Sequence, residues 1–380
     1  MTGEKIVSEI TDDVLVSIRN LRIRFDVRDG IVNAVDGANF TIRRGKTLGV
    51  IGESGCGKSM TAKAIMNMVP KPGVMTGEVT LYKRHVENGS QVVEEIRIDQ
   101  LDKDGEEIRN IRGGVITMIF QEPMSSLTPV FTAGLHIMEA VKLHRFLPIE
   151  SIGDTMTRNI QKKREVSPEE AREIAIDMLQ KVGLPNAAQR VDSYPHQLSG
   201  GQRQRVMIAI ALSTHPELLI ADEPTTALDV SIEAQILDLM RELQETVDMA
   251  ILFITHNMGV IAEMADEMVV MYMGKEVEEG SVVDIFENPK HPYTRLLLAS
   301  IPEIGEKKRE LATIKGMTPS PFNLPTGCVF HPRCPDFMPG KCDVVKPLLA
   351  TVAKNQNARC LMYDPCWPNT AEAQAVKAKA

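Results

Sequence analysis

A short glycine-rich stretch, GESGCGKS at positions 52–59, has the pattern G-x-x-x-x-G-K-S/T of loops that bind phosphate groups. Its glycines let successive backbone N–H groups curl around phosphate oxygens without Cβ clashes. Lys58 is expected to reach the β- and γ-phosphates, and the Ser59 hydroxyl to bind Mg²⁺. Cys56 occupies a variable position of the pattern and is interpreted as a bystander. The predicted phosphate-binding residues are Gly52, Glu53, Ser54, Gly55, Cys56, Gly57, Lys58 and Ser59.

Two carboxylates end the apolar stretch LLIADEP at positions 218–224. Ligands of α/β proteins bind at the carboxyl ends of strands, so Asp222 is predicted to hold Mg²⁺, directly or through water. Glu223 is predicted to polarise the attacking water as a general base. A polar strand end without chemistry is the alternative, and it is the weaker interpretation beside a phosphate-binding loop. The two motifs together predict hydrolysis of a nucleoside triphosphate.

The stretch QLSGGQRQRVMIAIAL at positions 197–212 combines poor helix formers with a helical pattern. Serine and two glycines run directly into residues that have the spacing of an amphipathic helix. We predict a strain-tolerant turn at the start of that helix. Free N–H groups and the helix dipole make such an N-terminus a binding site for anions.

The elements that position these motifs alternate between strands and helices, which predicts an α/β fold with a parallel sheet. Two segments near the N-terminus alternate apolar and polar residues, as half-buried antiparallel strands do. Residues 121–197 are mainly helical, and Ser167 is predicted to cap one helix with Glu170 three residues on. The predicted buried strands are 46–52, 114–120, 217–223 and 249–256, a helix is predicted at 58–69, and 83–107 is a predicted polar hairpin and loop.

Composition narrows the class of protein. The chain has 380 residues and a net charge of −8, which argues against a general nucleic-acid binder. Apolar runs fall short of the roughly 18 to 20 residues that span a bilayer, and the N-terminus lacks the pattern of a secretory signal. The cytosol is therefore the expected compartment. Five of the six cysteines lie between Cys328 and Cys366, which favours metal ligation over disulfides in that compartment.

The motifs together resemble those of ATP-binding-cassette (ABC) ATPases, whose signature is LSGGQ, here at positions 198–202. The resemblance covers about residues 14–300 and implies three further roles. Gln121 matches the Q-loop glutamine that senses Mg²⁺ and the transmembrane partner. Asp229 matches the D-loop residue at the dimer interface. His256 matches the switch histidine that contacts the γ-phosphate.

Two cassettes of this family pack head to tail, so that each signature caps an ATP molecule held by the partner's P-loop. The resemblance therefore implies that hydrolysis requires a dimer, with Glu223, His256 and Gln121 as catalytic residues. It implies Ser59, Gln121 and Asp222 as Mg²⁺ residues. The residues implied to face the partner's ATP are Leu198, Ser199, Gly200, Gly201 and Gln202.

Several longer stretches are similar to the ATPase subunits of dipeptide/oligopeptide (peptide/nickel) importers, and most to the D-type chain of the ATPase pair. They are GCGKSMTAKAIM, FQEPMSSLTPVFTAG, DEPTTALDVSIEAQIL, ENPKHPYTRLLLASIP and GCVFHPRCPDFMPGKC. The implied partners are a second, distinct ABC ATPase, two permeases and an extracytoplasmic substrate-binding protein, at the cytoplasmic face of the membrane. Short oligosaccharides or nickel are alternative cargoes. A soluble non-transport ABC ATPase is a distant alternative, because this chain has a single complete cassette and no long coiled-coil insertion.

The family fold implies a P-loop NTPase with a RecA-like parallel core, an antiparallel β subdomain and an inserted helical subdomain at about 121–205. The nucleotide-binding domain is expected over 1–285. A Cys-rich C-terminal segment is expected over 286–368, and a disordered tail over 369–380. Phe25 is either the aromatic residue that stacks on adenine or a core residue.

The spacing of Cys328, Cys334, Cys342 and Cys360 by itself leaves zinc and iron–sulfur ligation open, since both accept four thiolates. Some members of the peptide-importer subfamily hold a 4Fe–4S cluster with this pattern, which implies the same cluster here, with Zn²⁺ as the alternative. Cys366 could replace Cys360 as the fourth ligand. The expected role of the metal is structural, because the segment is rich in proline and poor in apolar residues.

Overall fold

The computed structural model of the chain describes residues 13–87, 90–121, 127–144, 146–148, 163–225, 229–301 and 314–363. These residues form two compact units. The described residues of the first unit lie in 13–16, 42–46 and 80–252, and those of the second in 17–41, 47–79 and 253–363.

The strands are, in chain order, β1 (Val14–Val27), β2 (Gly30–Arg43), β3 (Thr47–Ile51), β4 (Gly73–Glu87), β5 (Ser90–Arg97), β6 (Ile116–Ile119), β7 (Phe146–Pro148), β8 (Lys163–Glu165), β9 (Leu218–Asp222), β10 (Ala250–Thr255), β11 (Glu267–Tyr272), β12 (Lys275–Ser281), β13 (Ala350–Ala353) and β14 (Gln356–Ala358). The helices are α1 (Lys58–Ile65), α2 (Glu106–Ile111), α3 (Ala133–His144), α4 (Pro168–Lys181), α5 (Ala187–Arg190), α6 (Gly200–Leu212), α7 (Val230–Val247), α8 (Met258–Met264), α9 (Val282–Glu287) and α10 (Pro292–Ala299). Short 3₁₀ turns occur at Ile98–Gln100, Pro195–Gln197 and His331–Arg333. No described helix has the length and apolar character of a membrane span.

The second unit contains the strand that leads into the P-loop (residues 52–59). Every residue of β3 is buried, as expected for a strand covered on both faces. It pairs in parallel with β11, from Glu267 opposite Leu48 to Val270 opposite Ile51. Helix α8 packs against β3. The predicted strand before the P-loop is therefore present, with a parallel neighbour.

The sheet of the second unit is mixed, because it combines the predicted parallel pairing with antiparallel strands that the sequence did not predict at this place. Strand β12 folds back on β11 in an antiparallel hairpin through Met273 and Gly274, both of which have positive φ values, 47° and 78°. Strand β14 of the C-terminal segment then pairs antiparallel with β12, and β13 with β14. The weak periodicity after residue 285 gave no indication of these two strands.

The first unit contains the strand that carries the two carboxylates. Strands β6 and β9 run in parallel, from Ile116 opposite Leu218 to Ile119 opposite Ala221, and β9 ends at Asp222. Strands β4 and β5 form an antiparallel hairpin, as predicted for the polar insertion. The carboxyl ends of β6 and β9 therefore lie side by side, which brings the residues that follow them together.

Helices α3, α4 and α6 of the first unit pack against one another. Ser167 begins α4 with the predicted capping box, since its Oγ accepts from Glu170 N at 3.2 Å and its N–H donates to Glu170 Oε2 at 2.9 Å. Helix α6 differs from the amphipathic prediction, because it is buried on most sides. Even Arg205 is only 7% exposed, and its guanidinium donates to the carbonyls of Val182 and Gly183 at 2.7 and 2.6 Å.

Helix α1 ends at Ile65, four residues before the predicted end at Val69. Asn67 adopts a left-handed conformation with φ 50°, which stops the helix. Four apolar residues of this segment that have the spacing of one helical face are nevertheless at most 5% exposed. They are Ala62, Ile65, Met66 and Val69.

Candidate functional site

The P-loop joins β3 to α1, which is the context that its sequence pattern requires. Gly55 and Gly57 have φ values of 79° and 104°, a region that residues with side chains rarely adopt. A Cβ at Gly57 would lie 2.3 Å from the carbonyl oxygen of Ala34, whereas a Cβ at Gly55 would meet no atom within 4 Å. A side chain at position 57 would clash with the backbone of Ala34, and a side chain at position 55 is disfavoured by the positive φ value.

Lys58 curls back over the loop from the first position of α1. Its Nζ donates to the carbonyl oxygens of Gly52 at 2.6 Å and Glu53 at 3.2 Å, and lies 3.7 Å from Cys56 Sγ. The side chain is 6% exposed. The Lys58 ammonium group therefore lies against the loop in which a polyphosphate is predicted to bind. Ser59 follows as the second residue of the helix.

The side chain of Glu53 is bound by a residue that sequence reasoning missed. Arg333 of the C-terminal segment donates to its carboxylate at 2.7 and 2.9 Å. The two residues are 280 positions apart, and no local pattern in the sequence connects them. Glu53 is one of the predicted phosphate-binding residues, and its carboxylate already binds an arginine.

The structure brings two of the predicted catalytic residues together in the first unit. Gln121, two residues after β6, donates from Nε2 to Glu223 Oε2 at 3.1 Å. Glu223 has a left-handed backbone with φ 49°, which is uncommon for a residue with a side chain. Asp222 ends β9 and is 3% exposed. The side-chain amide of Gln121 thus contacts one of the two predicted carboxylates, that of Glu223.

The signature residues lie at the start of α6, where the structure has a helical turn in place of the predicted strain-tolerant turn. Neither Gly200 nor Gly201 has a positive φ, and both belong to the first helical turn. Ser199 is the N-cap, with Oγ accepting from Gln202 N at 3.3 Å, while Gln202 Oε1 accepts from Ser199 N at 3.0 Å. Ser199 and Gly200 are exposed, Leu198 is buried, and a Cβ at Gly200 would meet no atom within 4 Å. This helix end is regular, capped and open in front.

Three other predicted residues occupy the ends of elements. His256 is exposed and directly follows β10. Asp229 is exposed and precedes α7 in an extended conformation, without a side-chain capping bond. Phe25 is half-buried near the end of β1, and a Cβ at Gly73 would lie 2.7 Å from its Cε1. Whether Phe25 stacks on adenine stays a prediction.

The four cysteines predicted as metal ligands line one pocket of the second unit, together with His291, Phe330, Asp336 and other residues. All four described thiols are free of disulfides. Burial, with the charges of Asp336 and neighbouring cysteines, raises the pKa of Cys334 to about 12. Within the described ranges, no group of three or more His, Cys, Asp or Glu is arranged to hold a metal ion. Cys366 lies outside the described residues.

Comparison with known families identifies the family to which this set of motifs belongs. A family model described as "ABC transporter" matches residues 35–226, a range that includes the P-loop, Gln121, the signature and both carboxylates. The chain belongs to the ABC transporter family. A second model, described as "Oligopeptide/dipeptide transporter, C-terminal region", matches residues 277–342 of this ABC protein.

Curated relatives of this ABC protein match nearly their whole length. The oligopeptide transport ATP-binding protein AppD of Bacillus subtilis is 44% identical over 92% of this chain and 97% of its own. The dipeptide transport ATP-binding protein DppD of Escherichia coli is 40% identical over 91% of this chain and 96% of its own. The dimeric, post-hydrolysis structure of the ATP-binding cassette MJ0796 with ADP and Pi matches with a TM-score of 0.56 and 26% identity, over 70% of this chain and 99% of that one.

Proposed function

We propose that this chain is the ATP-hydrolysing subunit of a membrane ABC importer for di- and oligopeptides. The observation that carries the proposal is the occurrence of a complete cassette motif set and the oligopeptide/dipeptide C-terminal region in one chain. The names of the relatives, which specify oligopeptide and dipeptide transport, support peptides as the cargo over oligosaccharides or nickel.

The P-loop is the proposed cradle of the triphosphate. Its backbone N–H groups and the Lys58 ammonium group would neutralise phosphate charge. Mg²⁺ prefers oxygen ligands, and the Ser59 hydroxyl and Asp222 carboxylate have the required donor chemistry, with Gln121 as a further oxygen ligand. When bound, the ion neutralises charge on the phosphates. These residues are therefore proposed to hold the nucleotide and its metal.

Glu223 is the proposed general base for hydrolysis. Its carboxylate accepts a hydrogen bond from Gln121, which restricts the direction in which the carboxylate can point. A base must lie within hydrogen-bond reach of the water that it polarises, so a carboxylate with a restricted direction is better placed to polarise that water. His256 is the proposed contact of the γ-phosphate.

The open N-terminus of α6 is the proposed lid for an ATP molecule bound to another cassette. Ser199 and Gly200 are exposed, and the space at Gly200 allows close approach of another molecule. Asp229 is proposed to lie at the same dimer interface. The proposed assembly pairs this chain with a second ABC ATPase and two permeases at the cytoplasmic face of the membrane, served by an extracytoplasmic binding protein.

Helices α3 to α6 are proposed to be the inserted helical subdomain of the family. Residues 286–368 are proposed to be the C-terminal extension of peptide-type importers, and they contain the four pocket cysteines. We propose that these thiols hold a 4Fe–4S cluster, with zinc as the alternative. Four thiols that line one pocket fit the ligand number and chemistry of either metal.

The test of the ATPase assignment is the variant Glu223→Gln, which keeps the size of the side chain and removes its basicity. We expect ATP turnover in the assembled importer to fall by about 10²- to 10⁴-fold, as for loss of a general base. ATP binding should persist, and the nucleotide-loaded cassettes should accumulate as a closed dimer. Phosphate release and size-exclusion chromatography with light scattering measure the two effects. Unchanged turnover would contradict the role of Glu223.

A further inference from the structure

Glu53 of the P-loop is held by the C-terminal segment through its carboxylate. Arg333 binds it with two parallel hydrogen bonds of 2.7 and 2.9 Å, and Thr318 Oγ1 donates to Oε2 at 2.9 Å. The side chain of Arg333 is 5% exposed and that of Glu53 is 24% exposed. A bidentate arginine–carboxylate pair of this kind fixes the orientation of both planar groups.

The backbone of Glu53 is held by the same segment. Its N–H donates to the hydroxyl oxygen of Tyr293 at 3.0 Å, and the Tyr293 ring is fully buried. Partial burial acts to raise the pKa of Glu53, but hydrogen bonds from Arg333 and Thr318 outweigh it and hold that pKa below its usual value. Glu53 is therefore a carboxylate whose position and charge depend on residues far along the chain.

Arg333 has little freedom to move away from Glu53. Its guanidinium carbon lies 5.9 Å from the ring centre of Tyr272, and Nη1 is 3.4 Å from the Tyr272 hydroxyl. Nε donates to the carbonyl of Lys315 at 3.4 Å. The Tyr272 ring packs in turn on Tyr293 and Phe330, at centroid distances of 4.7 and 5.2 Å. The arginine is thus a fixed cation supported by an aromatic cluster.

A fixed cation beside Glu53 has two physical consequences for a phosphate-binding loop. A carboxylate without a counter-charge in the loop repels a triphosphate, and Arg333 cancels that charge locally. The loop must also present its N–H groups in one arrangement, and a loop pinned at Glu53 has fewer arrangements to lose on binding. Both consequences predict tighter nucleotide binding when the pair is intact.

We infer that Arg333 is a positioning residue for nucleotide binding, which acts through Glu53 to neutralise the P-loop and hold its shape. The inference rests on the proposed ATP-binding function. Arg333 ends the turn His331–Arg333, and Cys334 follows it directly. The cysteine pocket and the P-loop are therefore linked through one short turn, so the C-terminal segment contributes to the nucleotide site.

A double-mutant cycle on the full-length chain tests the inference. The variants are Arg333→Gln, Glu53→Gln and the two combined, with Mg-ATP affinity measured by calorimetry and folding checked by thermal melting. We expect Arg333→Gln alone to weaken ATP binding about tenfold, which corresponds to about 1.4 kcal/mol. In the Glu53→Gln background the same change should cost about twofold or less, because no carboxylate remains to be neutralised. Arg333→Lys should restore part of the affinity.

Arg295→Gln is the matched control. Arg295 forms an ion pair with Asp336 in the same segment, so its loss perturbs the segment without removing the contact to the P-loop. ATP affinity should stay within about twofold of the unmodified chain, as for a change at an independent site. The inference is overturned if Arg295→Gln weakens binding as much as Arg333→Gln, or if Arg333→Gln costs the same in both Glu53 backgrounds. Failure of the unmodified chain to bind ATP would overturn the proposed function as well.

Discussion

The contact between Gln121 and Glu223 shows how single residues acquire a fixed place in this protein. Gln121 follows β6, Glu223 follows β9, and the two strands are parallel neighbours. The left-handed backbone of Glu223 turns the chain sharply after the strand, at a cost of about 1–3 kcal/mol that the surrounding structure must offset. The backbone at Glu223 is therefore less stable locally, and the benefit is a defined position for the proposed general base.

The variant Gln121→Ala tests the value of that contact. It leaves Glu223 in place but removes the donor at 3.1 Å, so the carboxylate gains freedom. We expect kcat for ATP hydrolysis to fall about 10- to 100-fold, the range for loss of a hydrogen bond to a charged group. Steady-state phosphate release in the assembled importer gives kcat and KM.

Thr225→Val is the matched control for Gln121→Ala. It removes a nearby hydrogen bond, from Thr225 Oγ1 to Glu233 at 2.6 Å, that does not involve the proposed base. Its kcat should remain within about twofold of the unmodified value, as for a change outside the interacting set. Equal losses of kcat in both variants would indicate general damage to the loop and contradict a specific role for Gln121.

Residues of the site differed in how well the sequence predicted them. The position of the P-loop between a strand and a helix was predictable, because its glycines, Lys58 and Ser59 are close in sequence. The roles of Lys58 and Ser59 in binding stay predictions. The role of Arg333 was not predictable, because its partner lies 280 positions away and the contact depends on tertiary packing. The same holds for the hydroxyl of Tyr293, which accepts from the Glu53 N–H.

At the scale of elements, the chain contains two helices that begin in the same way and are proposed to differ in use. Ser167 and Ser199 are both N-caps with complete capping boxes, to Glu170 and Gln202 respectively. Proline follows Ser167, whereas glycine follows Ser199 and leaves open space in front of α6. Because the two caps have the same local chemistry, substitutions at Ser167 and Ser199 can separate an effect on stability from an effect on function.

Ser199→Ala and Ser167→Ala form that pair. Each change removes one cap, which costs about 1 kcal/mol and lowers the melting temperature by about 2–4 °C. Only Ser199→Ala should also lower the ATPase rate, by about 100-fold, because it removes a donor proposed to face the partner's ATP. Calorimetry and phosphate release measure the two effects. Equal ATPase rates for the two variants would argue against a lid at α6.

Element boundaries followed the sequence where a local signal existed. The capping box of α4 was predicted from Ser167 and Glu170 alone. The early end of α1 was missed, although Asn67 is a residue type that tolerates the left-handed conformation. Strands β13 and β14 have four and three residues, too few to show a period of two, and β14 pairs with β12, which is distant in sequence. The Met273–Gly274 turn was a local signal for the antiparallel hairpin that the prediction overlooked.

At the scale of the whole molecule, the C-terminal segment raises a question of stability. Its described residues beyond 314 contain one 3₁₀ turn and two short strands, with few buried apolar side chains. Yet four cysteines line one pocket there, and burial raises the pKa of Cys342 and Cys360 as well as that of Cys334. A bound metal ion deprotonates the thiols that coordinate it, and metal binding to such a segment is coupled to its folding.

The metal content of the full-length chain is therefore a prediction at this scale. Protein purified without oxygen should be brown and contain about four iron and four sulfide ions per chain, as a 4Fe–4S cluster requires. Cys342→Ser should lose most of the iron and unfold at a lower temperature, because the segment loses its cross-link. Cys56→Ser, at a cysteine outside the pocket, should retain the full iron content. Colourless protein with one zinc ion per chain would instead establish the zinc alternative, and protein without either metal would contradict the proposed metal site.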